Sequence, residues 1–400
     1  MTPAARLLLT SRALRAFGDG FVALALPVYL TGLGLDAFQV GLITTATLLG
    51  SAALTLVVGF VAHRFAARPL LMAASLLMLA TGLAFSVARE FWPLLVVGFV
   101  GTLNPSGGDV SPFLPLEQSV LAHAGPDAQR TRLFARYSLT GSLAVAAGSL
   151  SLGGADWLGG RLGADAMEVA RALFVVYGVL GLVVLLIYRR LPRQESEAEA
   201  ARQPLGPSRG RVFMLAGLFS LDSFGGGFIV QSLLALWLFQ HWGLSIPAAS
   251  AFFFWAGVLT AFSQLAAGWL AQRIGLINTM VFTHIPAQLC LMATAFAPNL
   301  TVVLGLLLVR ASLSAMDVPA RTSYVMAIVT PPERAAAASL TNVPRSLASA
   351  LSPSLAGFLL TVSPFAWPLM IGGGLKITYD LLLLAMFRTV RPPEERSTSG

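Results

Sequence analysis

Charged residues are scarce in this chain: they make up 11% of its 400 residues, whereas 56% are hydrophobic. A soluble domain usually has about 25% charged residues, and a water-soluble fold could not bury so much apolar surface. The shortage of charge therefore excludes an ordinary soluble domain. It predicts a membrane protein, in which each spanning helix needs about 20 apolar residues.

Cysteine is limited to Cys290, so the chain cannot form an internal disulfide or a cysteine-based metal cluster. The four histidines lack the spacing of metal ligands, and His284, inside an apolar run, is interpreted as a packed polar residue. The sequence also lacks a Walker-type phosphate loop and a clustered nucleophile and base. We therefore expect no metal, no cofactor, no ATP-driven pump and no enzyme.

What the sequence does contain is about twelve long apolar runs without period-two alternation, which favours helices over a barrel. These runs predict an all-α membrane protein with twelve transmembrane helices. They begin near Leu8, Phe38, Pro69, Phe91, Thr131, Met167, Val212, Ile246, Ile277, Leu300, Ala335 and Phe365.

The basic residues predict the orientation in the membrane. If both termini face the cytoplasm, eighteen of the 26 basic residues, Arg12 and Arg15 among them, fall at cytoplasmic ends of the runs. Short cytoplasmic loops favour arginine and lysine, which explains the net charge of +8 without a nucleic-acid partner. We expect a multi-pass, monomeric protein of the cell inner (plasma) membrane, in contact with lipid, with both termini cytoplasmic.

The one long hydrophilic stretch divides the chain near its centre. Residues 191–211 hold three prolines and several charges, and they are interpreted as a cytoplasmic linker between bundles at 1–190 and 212–400. The two halves repeat weakly, because residues 17–21 match 224–228. Three more matches follow in order: 59–64 with 268–273, 108–110 with 316–318, and 142–144 with 346–348. A parallel repeat of six-helix halves is typical of one class of transporter.

The loop after the second run carries the most specific motif. Gly59, Arg64 and Arg68 resemble the glycine and basic residues of the signature loop of the major facilitator superfamily, and Gly268 with Arg273 resembles it in the second half. His63 and Gln272 stand where that family has an acid. The resemblance implies two six-helix bundles related by pseudo-twofold symmetry and a secondary transporter that works by alternating access. It also implies that spans one, four, seven and ten line a central cavity.

Charged residues inside those four spans are candidates for function, since a charge at the middle of a membrane helix costs at least about 2.5 to 3.5 kcal/mol. A buried carboxylate can exchange a proton during a transport cycle. The proton-coupling candidates are Asp19, Asp109, Asp222 and Asp317.

A structural explanation of these charges stays open. Asp109 with Arg136, and Asp317 with Arg345, could be ion pairs that only hold a closed state. Lys376 lies one helical turn from Asp380, which predicts a local pair.

Polar residues in the same spans predict a substrate cavity. Arg310 has no same-helix partner at i+3 or i+4, so we expect it to contact an anionic or carbonyl group of the substrate. The cavity candidates are Asn104, Gln231, Arg310, Arg321, Tyr324 and Asn342. A mostly apolar cavity of this kind suits a small amphipathic organic solute and favours export.

The function expected from the sequence is therefore secondary transport of a small organic solute, coupled to protons. The alternative is a receptor or scaffold that keeps the fold without transporting. The charges retained inside the spans argue against that alternative.

Overall fold

The computed structural model describes residues 2–61, 65–107, 111–122, 127–192, 206, 208–330 and 333–388. In this part of the chain the regular elements are fifteen α-helices and one 3-10 turn. The helices are α1 (Pro3–Gly32), α2 (Ala37–Val61), α3 (Ala67–Val87), α4 (Phe91–Val100), α5 (Phe113–Ala122), α6 (Asp127–Leu162), α7 (Ala166–Tyr188), α8 (Arg209–Gly227), α9 (Gln231–Trp242), α10 (Ile246–Ile274), α11 (Leu276–Ala293), α12 (Leu300–Leu313), α13 (Asp317–Ile328), α14 (Arg334–Val362) and α15 (Trp367–Phe387). The 3-10 turn (Thr294–Phe296) follows α11.

The predicted all-α membrane fold is confirmed. Each of the twelve predicted starts lies within five residues of the first residue of a helix. In the described residues, nine helical stretches are long and apolar enough to cross a bilayer, counting α8 with α9 and α12 with α13. The three other predicted spans correspond to α4 with α5, to α6 and to α14. Of these, α4 and α5 are short, and α6 and α14 are long helices of lower mean hydropathy.

Three of the predicted spans are interrupted, and they are spans four, seven and ten. The first break follows Val100 and contains Pro105, which has no backbone N–H, and Gly107, whose φ of 67° is in the left-handed region. The other two breaks are three residues long, between α8 and α9 and between α12 and α13. Backbone groups released at such breaks are tolerated in a membrane only where protein or a polar cavity satisfies them.

By contacts between Cα atoms the chain forms two compact units. Unit 1 consists of residues 1–198, 230–257 and 353–364, and unit 2 consists of residues 199–229, 258–352 and 365–400. Most of the predicted linker lies outside the described residues, and the division into bundles at 1–190 and 212–400 stays a prediction.

Within unit 1 the start of α2 meets the end of α14 at what we call the glycine seam, formed by Gly41, Thr45, Ser354, Gly357 and Thr361. A Cβ on Gly41 would overlap the carbonyl oxygen of Pro353, and one on Gly357 would overlap that of Ala37. The amide of Ser354 donates to Thr45 Oγ1 at 2.9 Å, and that of Phe38 donates to Thr361 Oγ1 at 3.0 Å. Small residues, and glycine above all, allow two helix backbones to come this close.

The start of α9 also packs within unit 1, against the interruption of span four. The amide of Ser232 donates to the carbonyl of Pro105 at 3.1 Å. Gln231 Nε2 donates to Ser149 Oγ at 3.1 Å, and the Gln231 side chain fills the space that a Cβ on Gly107 would need. The glycine at 107 is therefore required both by its backbone angle and by this contact.

Within unit 2 a loop carboxylate holds the start of α8. Glu333 accepts hydrogen bonds from the Gly206 amide at 2.5 Å, the Ser208 hydroxyl at 2.8 Å and the Thr330 hydroxyl at 2.7 Å. The bonds from Thr330 and Ser208 lower the pKa of Glu333 to about 2. We call this group the Glu333 clamp.

Candidate functional site

The centre of unit 2 contains a network of buried ions built around Asp222 of α8. Lys376 Nζ of α15 donates to Asp222 Oδ1 at 2.7 Å, and Arg321 Nη1 of α13 donates to Asp222 Oδ2 at 3.1 Å. All three side chains are buried. Three helices thus meet at one carboxylate, which explains how α8, α13 and α15 tolerate charges in their apolar interiors.

His284 of α11 lies between two carboxylates of this network. Its Nδ1 is 2.9 Å from Asp380 Oδ2, and its Nε2 is 3.9 Å from Asp222 Oδ1. A neutral imidazole carries one N–H, whereas a protonated imidazole carries an N–H on each nitrogen. A protonated His284 can therefore donate from Nδ1 to Asp380, while its positive charge faces Asp222 across 3.9 Å, which is an arrangement suited to proton uptake and release.

Two more ions complete the network. Asp317 Oδ2 is 3.3 Å from Arg321 Nη1 on the same helix, and Arg345 Nε donates to Ser223 Oγ at 2.8 Å. The ion-pair partner of Asp317 is therefore Arg321, whereas Arg345 was predicted. The predicted local pair of Lys376 with Asp380 is wrong, because Lys376 reaches across to α8 and Asp380 faces His284.

The formal charges of this network balance. Three carboxylates, of Asp222, Asp317 and Asp380, stand against Arg321, Arg345 and Lys376, so the network is neutral while His284 is neutral. Lys376 is the single lysine among the 26 basic residues of the chain. A lysine ammonium is a compact, strongly hydrated point charge, unlike the planar guanidinium of arginine.

Unit 1 contains a second buried cluster of different chemistry, built around Glu117 of α5. Arg15 of α1 forms an ion pair with Glu117, Tyr137 donates to the same carboxylate, and Tyr188 donates to its other oxygen at 2.6 Å. The Arg15 guanidinium also lies 4.1 Å from the centre of the Phe113 ring. Glu117 is completely buried, and arginine and two phenols satisfy it.

Asp19 lies on the same helix, one turn from Arg15, and is hydrogen-bonded to the side chain of Asn104. Arg12 is buried beside them, with its guanidinium 5.2 Å from the centre of the Tyr137 ring. Arg12 and Arg15 were expected at a cytoplasmic helix end. Their side chains are buried inside unit 1, beside Tyr137 and Glu117, and the side of the membrane on which they lie stays a prediction.

The other predicted residues do not all gather at these clusters. Tyr324 is part of the hydrophobic core of unit 2, with the edge of its ring against Phe387. Arg136 and Asn342 are exposed, and Gln231 packs against Ser149 within unit 1. Arg310 lies on α12, where its Nε is buried and makes no hydrogen bond.

The predicted loop motif is mostly exposed. Gly59 and Gly268 have no neighbour near a Cβ position, and the exposed Arg273 lies 4.2 Å from the centre of the Trp269 ring. Arg64, His63 and Asp109 lie outside the described residues. A role for Asp109 or for the first-half motif therefore stays a prediction.

Among the residues that carry these clusters, Arg15, Glu117, His284, Lys376 and Asp380 were not predicted site residues. All of these except Arg15 carried a signal, because an ionisable residue inside an apolar run is a functional candidate by default. Among the described residues, no group of three or more histidine, cysteine, aspartate or glutamate side chains is placed to hold a metal ion.

Comparison with known proteins shows the family of the chain. The family model described as Major Facilitator Superfamily matches residues 8–234 and 213–400. An uncharacterized membrane protein of Saccharomyces cerevisiae is 24% identical over 418 residues, covering 96% of this chain and 93% of the relative.

Solved transporters share the fold. A crystal structure of a mutant of the nucleoside transporter NupG matches with a TM-score of 0.76 at 15% identity, covering 96% of this chain and all of that one. A bacterial homolog of the human lysosomal transporter Spinster, in an inward-facing and occupied conformation, matches with a TM-score of 0.72 at 17% identity over 96% of this chain and 95% of that one. At such identities the likeness shows the fold alone. With the family model matching both halves, the chain belongs to the major facilitator superfamily and is a multi-pass membrane transporter of a small solute rather than an enzyme.

Proposed function

We propose that this transporter moves a small organic solute by alternating access and couples that movement to protons through His284. The observation that carries the proposal is the position of His284 between Asp380 and Asp222, inside a buried network that is neutral while the imidazole is neutral. The orientation expected from the basic residues, with both termini in the cytoplasm of the inner membrane, belongs to the same proposal.

The chemistry of coupling follows from the charge balance. A proton on His284 gives the network a net charge of one in a medium of low dielectric constant, where charges interact over several ångströms. Asp222 then interacts with three cations, His284, Lys376 and Arg321, so its ion pair with Lys376 becomes weaker. A proton bound at His284 therefore changes the charge of the whole network and not of one residue alone.

The groups that face His284 come from several helices. Asp222 is on α8; Asp380, Lys376 and Tyr379 are on α15. Asp317 and Arg321 on α13 and Arg345 on α14 connect through Asp222 or its neighbour Ser223. Movement of any of these helices changes the field at the imidazole, so the proton affinity of the network depends on conformation.

We propose export as the direction, by exchange of the solute for a proton. The support is the apolar character expected of the cavity, which suits an amphipathic solute. NupG is named a nucleoside transporter, and the Spinster homolog is seen in an inward-facing and occupied conformation. These statements describe those two proteins, and they support the proposal of an organic solute for this chain.

The test is the lumen pH of proteoliposomes that contain the purified full chain, recorded while amphipathic cations, anions, sugars and nucleosides are added outside. Exchange predicts that an accepted solute makes the lumen alkaline, because protons leave as solute enters. Symport predicts acidification and would reverse the proposed direction.

The matched variants are His284→Gln and His241→Gln, since His241 is exposed at the end of α9. We expect His284→Gln to remove the proton signal while labelled solute still moves down its gradient. His241→Gln should keep both. A proton signal unchanged in His284→Gln would refute coupling at this site, and a wild type that moves no solute would favour a receptor or scaffold.

A further inference from the structure

Arg310 differs from the other ions inside the spans because its guanidinium makes no hydrogen bond or ion pair with the described residues. Among the described residues, Arg15 pairs with Glu117, Arg321 pairs with two aspartates, and Arg345 donates to Ser223. The Nε of Arg310 is buried and makes no hydrogen bond, and no carboxylate is paired with its guanidinium. The side chain of Arg310 is half-buried, and a charge without a partner inside a membrane-spanning helix is costly, so the residue needs an explanation outside the packing.

The helix position of Arg310 directs it into the protein rather than into lipid. On α12 the buried residues are Val303, Leu307 and Ala311, and Val302 and Val309 are exposed. At 100° per residue, position 310 falls on the stripe formed by 303, 307 and 311, opposite to 305 and 309. The guanidinium therefore belongs to the inward face of α12.

The depth of Arg310 excludes a lipid headgroup as its partner. Arg310 is ten residues after Leu300, the first residue of α12, which places it roughly 15 Å along the helix. The hydrocarbon core is about 30 Å thick. A lipid phosphate remains at the membrane surface, whereas a dissolved solute that enters a transport path reaches its middle.

A second buried group without a partner lies at similar depth on the neighbouring helix. Gln288 of α11 is fully buried, and neither its amide nitrogen nor its amide oxygen makes a hydrogen bond. The helix α11 and its 3-10 turn lead directly into α12, and Gln288 lies five residues before the end of α11, roughly 14 Å from the far end of the turn. Gln288 is also one turn from His284, on the same face.

We propose that Arg310 and Gln288 bind the anionic group of the transported solute, which makes the substrate an organic anion with a carboxylate, sulfonate or phosphate group. This inference rests on the proposed transport function and deepens it. The guanidinium matches the two oxygens of such a group with two parallel N–H donors, and the Gln288 amide supplies one more. The proximity of Gln288 to His284 puts solute and proton on one helix face.

The experiment measures thermal unfolding of the purified full chain in a neutral detergent with matched aromatic probes. The anions are benzoate, benzenesulfonate and phenyl phosphate; the neutral probes are benzamide and benzyl alcohol. At ~10 mM, an anion that binds with a Kd near 1 mM should raise the Tm by about 2 °C. Neutral probes should raise it by less.

Four variants assign the effect. Arg310→Gln and Gln288→Leu should lose the anion shift, Arg310→Lys should keep part of it, and Arg132→Gln should keep all of it, because Arg132 is exposed on α6. Arg310→Gln should fold with a Tm equal to or above that of the wild type without ligand, since it removes an unpaired charge.

Three results would overturn the inference: an equal anion shift in Arg310→Gln, larger shifts with the neutral probes, or no anion shift in the wild type. The two proposals also fail separately. An anion shift that depends on Arg310, in a protein whose lumen pH never responds, would keep this site and refute proton coupling. A proton signal driven by neutral solutes would keep the proton coupling and refute the anion site.

Discussion

The two units bury polar clusters of opposite design on a repeated fold. In unit 1 the cluster is an arginine–glutamate pair whose carboxylate is completed by two tyrosines. In unit 2 the cluster is an aspartate shared by a lysine and an arginine, with a histidine beside it. Under the proposed coupling at His284, unit 2 binds the proton, whereas the cluster of unit 1 is expected to keep its charge.

The repeat sharpens this comparison. Residues 17–21 match residues 224–228, so Arg15 corresponds to Asp222 and Asp19 corresponds to Gly226. The sign of the charge is inverted at the first position. At the second position a carboxylate is replaced by a glycine, across which Lys376 lies, with its Nζ 3.5 Å from where a Cβ would be. The two halves of the chain therefore carry different charges at positions that correspond in the repeat.

The variant expected to have the largest effect is Asp222→Asn. It leaves Lys376 and Arg321 without their shared carboxylate, and removal of one partner from a buried pair costs about 3 to 5 kcal/mol. We expect the free energy of unfolding to fall by an amount near the upper end of that range, measured by thermal unfolding. The proton signal should be lost completely.

The control for Asp222→Asn is the double variant with Lys376→Met, which removes the cation as well. Because neighbours in one network are not additive, the double variant should be more stable than Asp222→Asn alone. A double variant that is less stable than either single variant would contradict the pairing.

The matching change in unit 1 is Glu117→Gln. The amide still accepts from a tyrosine but no longer neutralises Arg15, so we expect a loss of about 3 kcal/mol in the free energy of unfolding. The pH dependence of flux in proteoliposomes should match that of the wild type. A changed pH profile would show that unit 1 also carries the proton.

The variant Gly226→Asp gives unit 2 the carboxylate that unit 1 has at the corresponding position, Asp19. The surroundings allow a side chain there, and it would face Lys376. An added negative charge favours a protonated imidazole, so the pH of half-maximal flux should rise by about one unit. Gly226→Asn, which adds the same bulk without charge, should leave that pH unchanged; an equal shift in both variants would refute the electrostatic reason.

The smallest effect is expected at the Glu333 clamp, which lies in a loop. Its pKa is about 2, below the ordinary 4.5. A carboxylate whose pKa is lowered by folding stabilises the protein above its unfolded pKa and loses that contribution as the pH falls through the folded pKa. In Glu333→Gln the Tm at neutral pH should fall slightly, and the decrease in Tm between about pH 4.5 and 2 should become shallower.

Glu90→Gln is the control for the clamp, since Glu90 precedes α4 without a capping hydrogen bond. It should leave the pH profile of unfolding unchanged. A Glu333→Gln profile that overlays the wild type would contradict the clamp.

Much of the fold could be predicted from the sequence, because the length and hydropathy of each run depend on the bilayer rather than on distant residues. The starts of α4, α10 and α12 were predicted to the residue. The breaks in spans four, seven and ten were less visible. Glycine and proline mark them, but membrane helices are rich in both.

The partners within the clusters could not be predicted, because they depend on distances between helices far apart in the chain. Arg15 was assigned to a helix end by a rule about charge and side of the membrane, whereas its partner Glu117 is 102 residues away. Lys376 was paired with Asp380 by helix spacing, whereas its true partner Asp222 is 154 residues away. Local rules find which residues are buried ions and miss which of them meet.

The glycine seam of unit 1 has a consequence for what the protein can sense. Two backbones in contact, joined by threonine and serine hydrogen bonds, contain no group that titrates between about pH 5 and 8 and no pair that salt can screen. Its strength is therefore the same in an acidic and a neutral compartment, at low and at high salt. Under the proposed proton coupling, a change of pH alters the charge of the unit 2 network and leaves the seam unchanged.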